Sequence, residues 1–263
     1  MEYNYIIPKN FFYGSAITLI QEIILLQKKK VKIKINLISK NKNYIKYFNI
    51  AKYLDTNIEF FKNKRIGLNS LNLNKVLNKK ISYSLENVIA KSSTNKIKPK
   101  LIFKKKYVAL VRNKLKKKKI NKFVCIHIKE LNNKINLKEL NSWKNLIKFV
   151  SKKFLIIFLS SNAYKKYFIN DKNILFISFK NIYSEPILSQ ICKFYLASAS
   201  GFCSFAIFSD VPYLIIKKPK EHADQIKREI KYNKLKFASN KQFLIRENMH
   251  NIKKILNYVK KIK

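Results

Sequence analysis

The residues best suited to chemistry sit where apolar runs stop. The stretch Ile187–Lys217, ILSQICKFYLASASGFCSFAIFSDVPYLIIK, reads as helix, short strand, small-residue turn, helix and second strand. Its turn is Ser198-Ala199-Ser200-Gly201, followed by the apolar-periodic segment Phe202–Phe208 that contains Cys203. Pro212 breaks that segment, and Tyr213–Ile216 resumes as a β-rich run. A tight turn between a strand end and a helix start leaves backbone N–H groups unpaired at the positive end of the helix dipole. Such a place suits a phosphate or a polar sugar. The chain has only three glycines, Gly14, Gly67 and Gly201. Where glycine is this scarce, a glycine at such a turn is expected to mark positive φ or the close approach of a ligand. Gly201 and Gly14, the latter followed by Ser15, both stand at apparent strand-to-helix turns. The plain alternative is a tight turn with no ligand.

Other polar groups fall at predicted strand ends. His127 closes the strand Phe123–Ile128, and Glu130 follows it; these two are the candidates for proton transfer. Ser160 and Ser161 follow the fully apolar run Phe154–Leu159 and could bind phosphate. Glu185 starts a helix at Ser184-Glu185-Pro186, with Ser184 as N-cap and Pro186 near the first turn, and could accept from a ribose hydroxyl. His222 and Asp224 open a polar helix predicted over residues 221–232. Each has a structural alternative: a histidine held within the sheet, a solvated loop carboxylate, a favourable charge in a first helical turn, serines that end a strand.

These residues need a scaffold that gathers strand ends. Tyr3–Ile7 reads as a strand, Ala16–Lys30 as an amphipathic helix and Val31–Ile38 as a half-buried strand, which makes a βαβ unit at the outset. Helix signals over Tyr44–Leu54, within Lys75–Ala90 and over Lys104–Lys119 follow, with a third strand at Ile58–Phe61. A second βαβ series starts near Asn121. It comprises the strand at Phe123, a helix over Leu137–Val150 with Trp143 in its core face, the strand Phe154–Leu159, a short helix near Ala163–Phe168 and a strand at Ile174–Phe179. A final amphipathic helix lies within Phe243–Ile262. The pattern predicts an α/β chain of two Rossmann-like domains, 1–119 and 120–263, with a cleft between them and the last helix packing back on the first domain. Ligands in such sheets bind beyond the carboxyl ends of the strands.

Composition bounds the partners. The chain of 263 residues is 47% hydrophobic, enough for proper cores, and its formal net charge is +43. Of its 57 basic residues only Arg65, Arg112, Arg228 and Arg246 are arginine. Lysine comes with abundant Asn, Ile, Tyr and Phe, a skew towards A+T-rich codons, and the lysines are spread over the whole chain. A specific nucleic-acid reader would favour arginine and aromatic–basic interleaving on one face. The charge still attracts anionic membranes, nucleotides and phosphorylated substrates. Cys125, Cys192 and Cys203 lie irregularly in apolar runs and read as buried free thiols, with no metal-ligand spacing. No basic-then-apolar leader opens the chain, and no apolar run approaches a membrane span, so a cytoplasmic protein resting on the inner membrane is expected.

The order of elements resembles the GT-B glycosyltransferases, most nearly the heptosyltransferase-like group that builds bacterial surface polysaccharides. The resemblance is carried by Gly14-Ser15-Ala16-Ile17 at the first turn, His127-Ile128-Lys129-Glu130 after the strand that opens the second domain, Ser142-Trp143, Phe158-Leu159-Ser160-Ser161, and Ala199-Ser200-Gly201 through Pro212-Tyr213. It covers about residues 120–218 well and 3–38 loosely. Ser15 and Ala199 stand where relatives carry acidic residues. The resemblance implies sugar transfer from a nucleotide-sugar donor to a glycan or glycolipid acceptor. No cofactor is implied beyond that donor, and the absence of a D-x-D-like pair points to metal independence. Gly14, Ser15, Ser160, Ser161, Glu185, Ser200, Gly201, Phe202 and Cys203 would bind substrate, and His127 and Glu130 would serve catalysis. The alternatives are an inactive sugar-nucleotide-binding relative and a basic nucleic-acid-binding protein.

Overall fold

The computed structural model describes residues 2–9, 11–26, 32–39, 41–62, 71–72, 85–129, 137–159, 165–168, 171–177, 181–219, 230–231 and 233–262. Gly67, Glu130, Ser160, Ser161, His222 and Asp224 lie outside these residues. The chain divides into two compact units, Met1–Lys105 and Lys106–Lys263, where the sequence suggested 119/120.

The first unit is built on a parallel sheet of order β3-β2-β1-β4. Its elements are β1 (Glu2–Ile6), α1 (Tyr13–Leu26), β2 (Ile33–Ile38), α2 (Lys42–Lys46) running into a 3₁₀ turn (Tyr47–Tyr53), β3 (Ile58–Lys62), β4 (Leu71–Asn72) and α3 (Leu85–Asn95). Helix α1 buries Ala16, Ile17, Leu19, Ile20 and Ile23, an apolar face too wide for a strand to bury. It begins at Tyr13, so Gly14 and Ser15 lie inside its first turn and not in a turn ahead of it. The Thr18 hydroxyl donates to the Gly14 carbonyl at 2.9 Å.

The second unit carries a parallel sheet of order β12-β9-β8-β5-β6-β7. After α4 (Lys105–Lys117) come β5 (Phe123–His127), α5 (Leu137–Ser151), β6 (Leu155–Phe158), α6 (Lys165–Phe168), β7 (Ile174–Phe176), α7 (Ser184–Ile191) and β8 (Tyr195–Ser198). A 3₁₀ turn (Gly201–Cys203) leads into α8 (Ser204–Ile207), and then follow β9 (Tyr213–Lys217), the pair β10 (Ile230–Lys231) and β11 (Lys234–Leu235), β12 (Gln242–Arg246) and α9 (Ile252–Ile262). Strands β6 (Leu-Ile-Ile-Phe) and β9 (Tyr-Leu-Ile-Ile-Lys) are apolar on successive residues because helices cover both of their faces.

Alternation sorts the strand residues between those faces. One face packs Val124, Ile126, Leu196, Leu214, Ile216, Phe243 and Ile245 with Trp143, Leu146 and Ile147 of α5 and Ile255, Val259 and Ile262 of α9. The closing helix, expected on the N-terminal domain, thus lies in the core of the second unit. Trp143 is 2% exposed, and truncating it to alanine would cost about 3–5 kcal/mol. The opposite face carries Cys125, His127, Tyr195 and Ala197, under α7 and α8: the Cys125 thiol donates to the Leu188 carbonyl, and Tyr195 Oη lies 3.7 Å from Cys203 Sγ.

The structure refines two sequence readings. The final helix, placed within Phe243–Ile262, is Ile252–Ile262, and the Phe-Leu-Ile run ahead of it is a strand, β12, that pairs with β9. The end of the polar helix predicted over 221–232 is the strand β10, paired antiparallel with β11.

Scarce glycine leaves its mark at helix ends. After α4, Ile120 N–H donates to Leu115 O and Lys119 N–H to Lys116 O, with Lys119 at φ 57°. After α3, Ile97 bonds to Ser92 and Lys96 to Ser93, with Lys96 at φ 52°. Both are Schellman closures in which lysine holds the left-handed position that glycine usually takes. A side chain with a Cβ costs about 1 kcal/mol or more there. Replacing Lys119 or Lys96 by glycine should therefore raise the unfolding free energy by about 1 kcal/mol each in urea titrations. Unchanged or lower stability in both variants would show that these turns are unstrained.

Candidate functional site

In the second unit, strand order reverses between β5 and β8. β5 leads through α5 and β6 towards β7, whereas β8 leads through α8 and β9 towards β12. Crossovers leave in opposite directions from this pair, and in sheets of this kind ligands bind beyond the carboxyl ends at such a point. The register pairs His127 with Ala197, so the chain segments that leave this point are Ile128-Lys129 and Ser198–Gly201. The first unit reverses order between β1 and β4, and Gly14 and Ser15 follow β1 there, half-buried.

Short bonds fix the polar turn. Lys129 N–H donates to Ser198 Oγ at 2.6 Å, which ties the two segments together. Ala199 N–H donates to Ile216 O at 2.8 Å, and Cys203 N–H to Ser200 O at 3.1 Å. The Cys203 thiol donates back to Ser198 O at 3.3 Å. Ser200 itself is extended, at φ −156° and ψ 167°, and its hydroxyl lies 3.4 Å from His127 Nδ1 and 3.6 Å from Cys203 Sγ. Gln190 of α7 props the following helix by donating to Phe205 O at 3.0 Å. The N–H groups of Gly201 and Phe202 open the 3₁₀ turn ahead of its first repeat bond, as the first donors of any helix do.

Gly201 does not have positive φ, and neither does Gly14. The chain enters a right-handed turn directly from extended Ser200. What glycine supplies at 201 is an exposed position with no side chain over the neighbouring amides. Ser184 also departs from expectation: Tyr183 occupies the N-cap at φ −86° and ψ −17°, because Ser184 N–H already bonds to Asn181 O, and Ser184 is buried as the first helical residue. Glu185 is half-buried one turn before Leu188, towards the carboxyl ends of the strands.

His127 is 7% exposed, its ring stacked on Phe202 at 5.0 Å between centroids. Phe202 is in turn set edge-on to Phe205. Burial disfavours the imidazolium and lowers the His127 pKa to about 4. The ring is therefore neutral at physiological pH and can accept from, or donate to, the Ser200 hydroxyl. Burial likewise raises the Cys203 thiol, although bonds with Ser200 and Tyr195 oppose the rise, and it raises Cys125 and Tyr195. Cys203 is a neutral thiol that braces the turn.

The structure thus brings His127, Ser200, Phe202 and Cys203 together at one point, with Gly201 at its exposed lip. Phe202 is expected from the resemblance to bind substrate; nothing in its spacing shows that it stacks on His127. The largest described hollow, about 720 Å³, belongs to the first unit, along β3 and the 3₁₀ turn. It holds none of these residues, and convergent polar chemistry marks the switch point in preference to volume.

No family model and no curated protein matches the chain. Solved structures do. Over 100% of this chain and 89% of the other, it is similar to a family 9 glycosyl transferase from Veillonella parvula, with TM-score 0.58 and 9% identity. It is similar to E. coli heptosyltransferase WaaC with ADP-2-deoxy-2-fluoro heptose over 99% of this chain and 98% of that one (TM-score 0.52, 12% identity), and to WaaC with ADP over 100% and 99% (TM-score 0.50, 11% identity). The fold is that of the GT-B glycosyltransferases, heptosyltransferase-like in its build.

The sign of the His127 effect is fixed by its pKa. Between pH 6.5 and about 4 the unfolded chain takes up a proton that the folded chain refuses, so stability present above that window is lost as pH falls through it. The loss should approach about 3 kcal/mol. Urea unfolding as a function of pH should show it in the parent and not in His127→Gln, and the imidazole C2 proton should titrate near pH 4 by NMR. A midpoint near 6.5 would mean that water reaches the ring.

Proposed function

We propose that this chain is a glycosyltransferase that moves a sugar from a nucleotide-sugar donor to a surface-polysaccharide or lipopolysaccharide acceptor without a metal ion. The carrying observation is the braced polar turn Ser198–Cys203 beside His127, at the strand-order reversal of a sheet whose fold is shared with heptosyltransferases. The leaving group would be a nucleoside diphosphate with growing negative charge. Amides at Gly201 and Phe202 meet that charge, and no Cβ at 201 stands in the way. Nearby Lys129, whose amide is already tied to Ser198, adds a cation on the same side.

In this reading His127 works in its neutral form. It holds the Ser200 hydroxyl and, through Phe202, keeps water from the floor of the site. In this reading removal of the acceptor proton falls to Glu130, three residues on in the sequence. Ser160, Ser161 and Glu185 complete the donor side, and Gly14 and Ser15 serve the acceptor side. A cytoplasmic placement at the inner membrane follows from an acceptor that is a glycolipid. No described helix is long and apolar enough to cross a membrane.

Two replacements favour a second reading, that of a relative which binds the donor without transfer: Ser15 and Ala199 stand where the resemblance expects acids.

Thermal unfolding with ADP, UDP and GDP tests the donor site. At a hundredfold excess over Kd, one of them should raise the midpoint by about 5 °C or more. Gly201→Val, which puts a branched side chain over the amides, should abolish the rise while leaving the far-UV spectrum intact. Equal stabilisation by duplex DNA would overturn the proposal. A rise with no sugar released from any ADP-, UDP- or GDP-sugar would decide for the inactive relative.

A further inference from the structure

The cations of this chain are not spread evenly in one respect. From Asn87 to Lys129 it carries fourteen lysines and Arg112 and no aspartate or glutamate, the longest acid-free run in the sequence. Codon drift adds lysine everywhere, and within this run only the part from Lys106 on belongs to the second unit. Helix α4 lies in this run. Its inner side is anchored by buried Val111 and Leu115 and by the Tyr107 ring, 4.9 Å from that of Tyr183.

The outer side of α4 is mixed in an unusual way. Leu110 is 54% exposed, among exposed Lys105, Lys106, Lys114, Lys116 and Lys117. Two hollows adjoin at Lys114. One, of about 540 Å³, is lined by Leu110, Asn113, Lys114, Lys116 and Lys117. The other, of about 610 Å³, is lined by Lys114, Lys118 and Ile120 with Leu175, Phe176 and Ile177, at the outermost strand β7 of the sheet. Neither lining contains an acid, whereas the two other described hollows contain Glu59 and Asp171.

We infer that this face, α4 with the rim at β7, docks on an anionic lipid surface. Lysine ammonium groups at its border would sit among phosphates, and Leu110 would enter the acyl boundary, with Leu175 and Ile177 behind it. Charge complementarity selects an anionic partner, and the aliphatic residues select lipid over nucleic acid. A phosphate ladder offers Leu110 nothing, and the local rings that could stack on bases are engaged within the protein: Tyr107 with Tyr183 and Phe176 with Phe158. The surface lies within the second unit and is independent of the donor site.

Co-sedimentation with vesicles of phosphatidylglycerol and phosphatidylcholine tests this on the full chain. Binding should need phosphatidylglycerol. Removing both Lys116 and Lys117 to alanine should weaken it about 25-fold, roughly fivefold per lysine. Leu110→Gln should remove the part of the binding that survives 0.5 M salt (roughly a 4 Å screening length). The control pair Lys236→Ala with Lys241→Ala, exposed elsewhere on the same unit, carries the same charge change and should have under a fifth of the effect. Melting midpoints exclude misfolding, and the response to nucleotides should be the same in all variants. An equal loss in the control pair, no sedimentation, or Leu110→Gln weakening duplex-DNA binding as much as vesicle binding would each overturn the assignment.

Discussion

The second unit depends on a reversal of direction at β5 and β8. Parallel strands need crossovers, and a crossover of one hand carries the chain to one side of the sheet. When β6 and β7 extend the sheet one way and β8, β9 and β12 the other, the carboxyl ends of the two central strands become the place where such sheets bind ligands. That place is a consequence of topology before any side chain is chosen. Side chains decide what stands there: a buried neutral imidazole, a serine hydroxyl and a turn with glycine at its exposed position.

That turn is braced from beneath by its neighbours. Tyr195, Cys203 and Ser200 form a chain of side-chain contacts beneath it, and Ser198 is held on its hydroxyl by Lys129 and on its carbonyl by Cys203. Each of these groups is neutral, and burial keeps the thiols and the tyrosine so. A neutral, hydrogen-bonded base beneath exposed amides suits an anion: it positions donors without placing a fixed negative charge near them. The stack of Phe202 on His127 adds the same protection from the side, because a ring face excludes water that would otherwise stabilise an imidazolium.

Much of this was legible from sequence. Strands β5, β6, β8 and β9 announce themselves as apolar runs too short for helices, and the placement of His127 and Ser200 at their ends follows from where the runs stop. β12 was less legible. Gln242–Arg246 runs on, with no proline or glycine between, towards an amphipathic helix, and only its partner β9, far off in sequence, makes it a strand. Of the two causes offered for the glycines, positive φ holds at neither Gly14 nor Gly201. A search for positive φ should have looked at Lys96, Lys119 and Asn233, which hold it in this structure. With three glycines in the whole chain, helix closures fell to residues that tolerate the left-handed region at a cost, and Gly201 was free to serve as a bare position.

The same separation of composition from design applies to charge. A net charge of +43 says little about where a partner binds, since most lysines lie at scattered solvated positions. Information enters through what is missing. Acids elsewhere in the chain pair with lysines: Glu139 holds Lys218, and Glu247 holds Lys254; burial raises the Glu247 carboxyl, but bonds from Lys254, Asn251 and Asn248 outweigh it and keep the group below its usual range. Helix α4 itself carries no acid, and an exposed leucine stands among its lysines. A basic face that carries an exposed apolar residue suits a partner that supplies anions and covers the leucine at once.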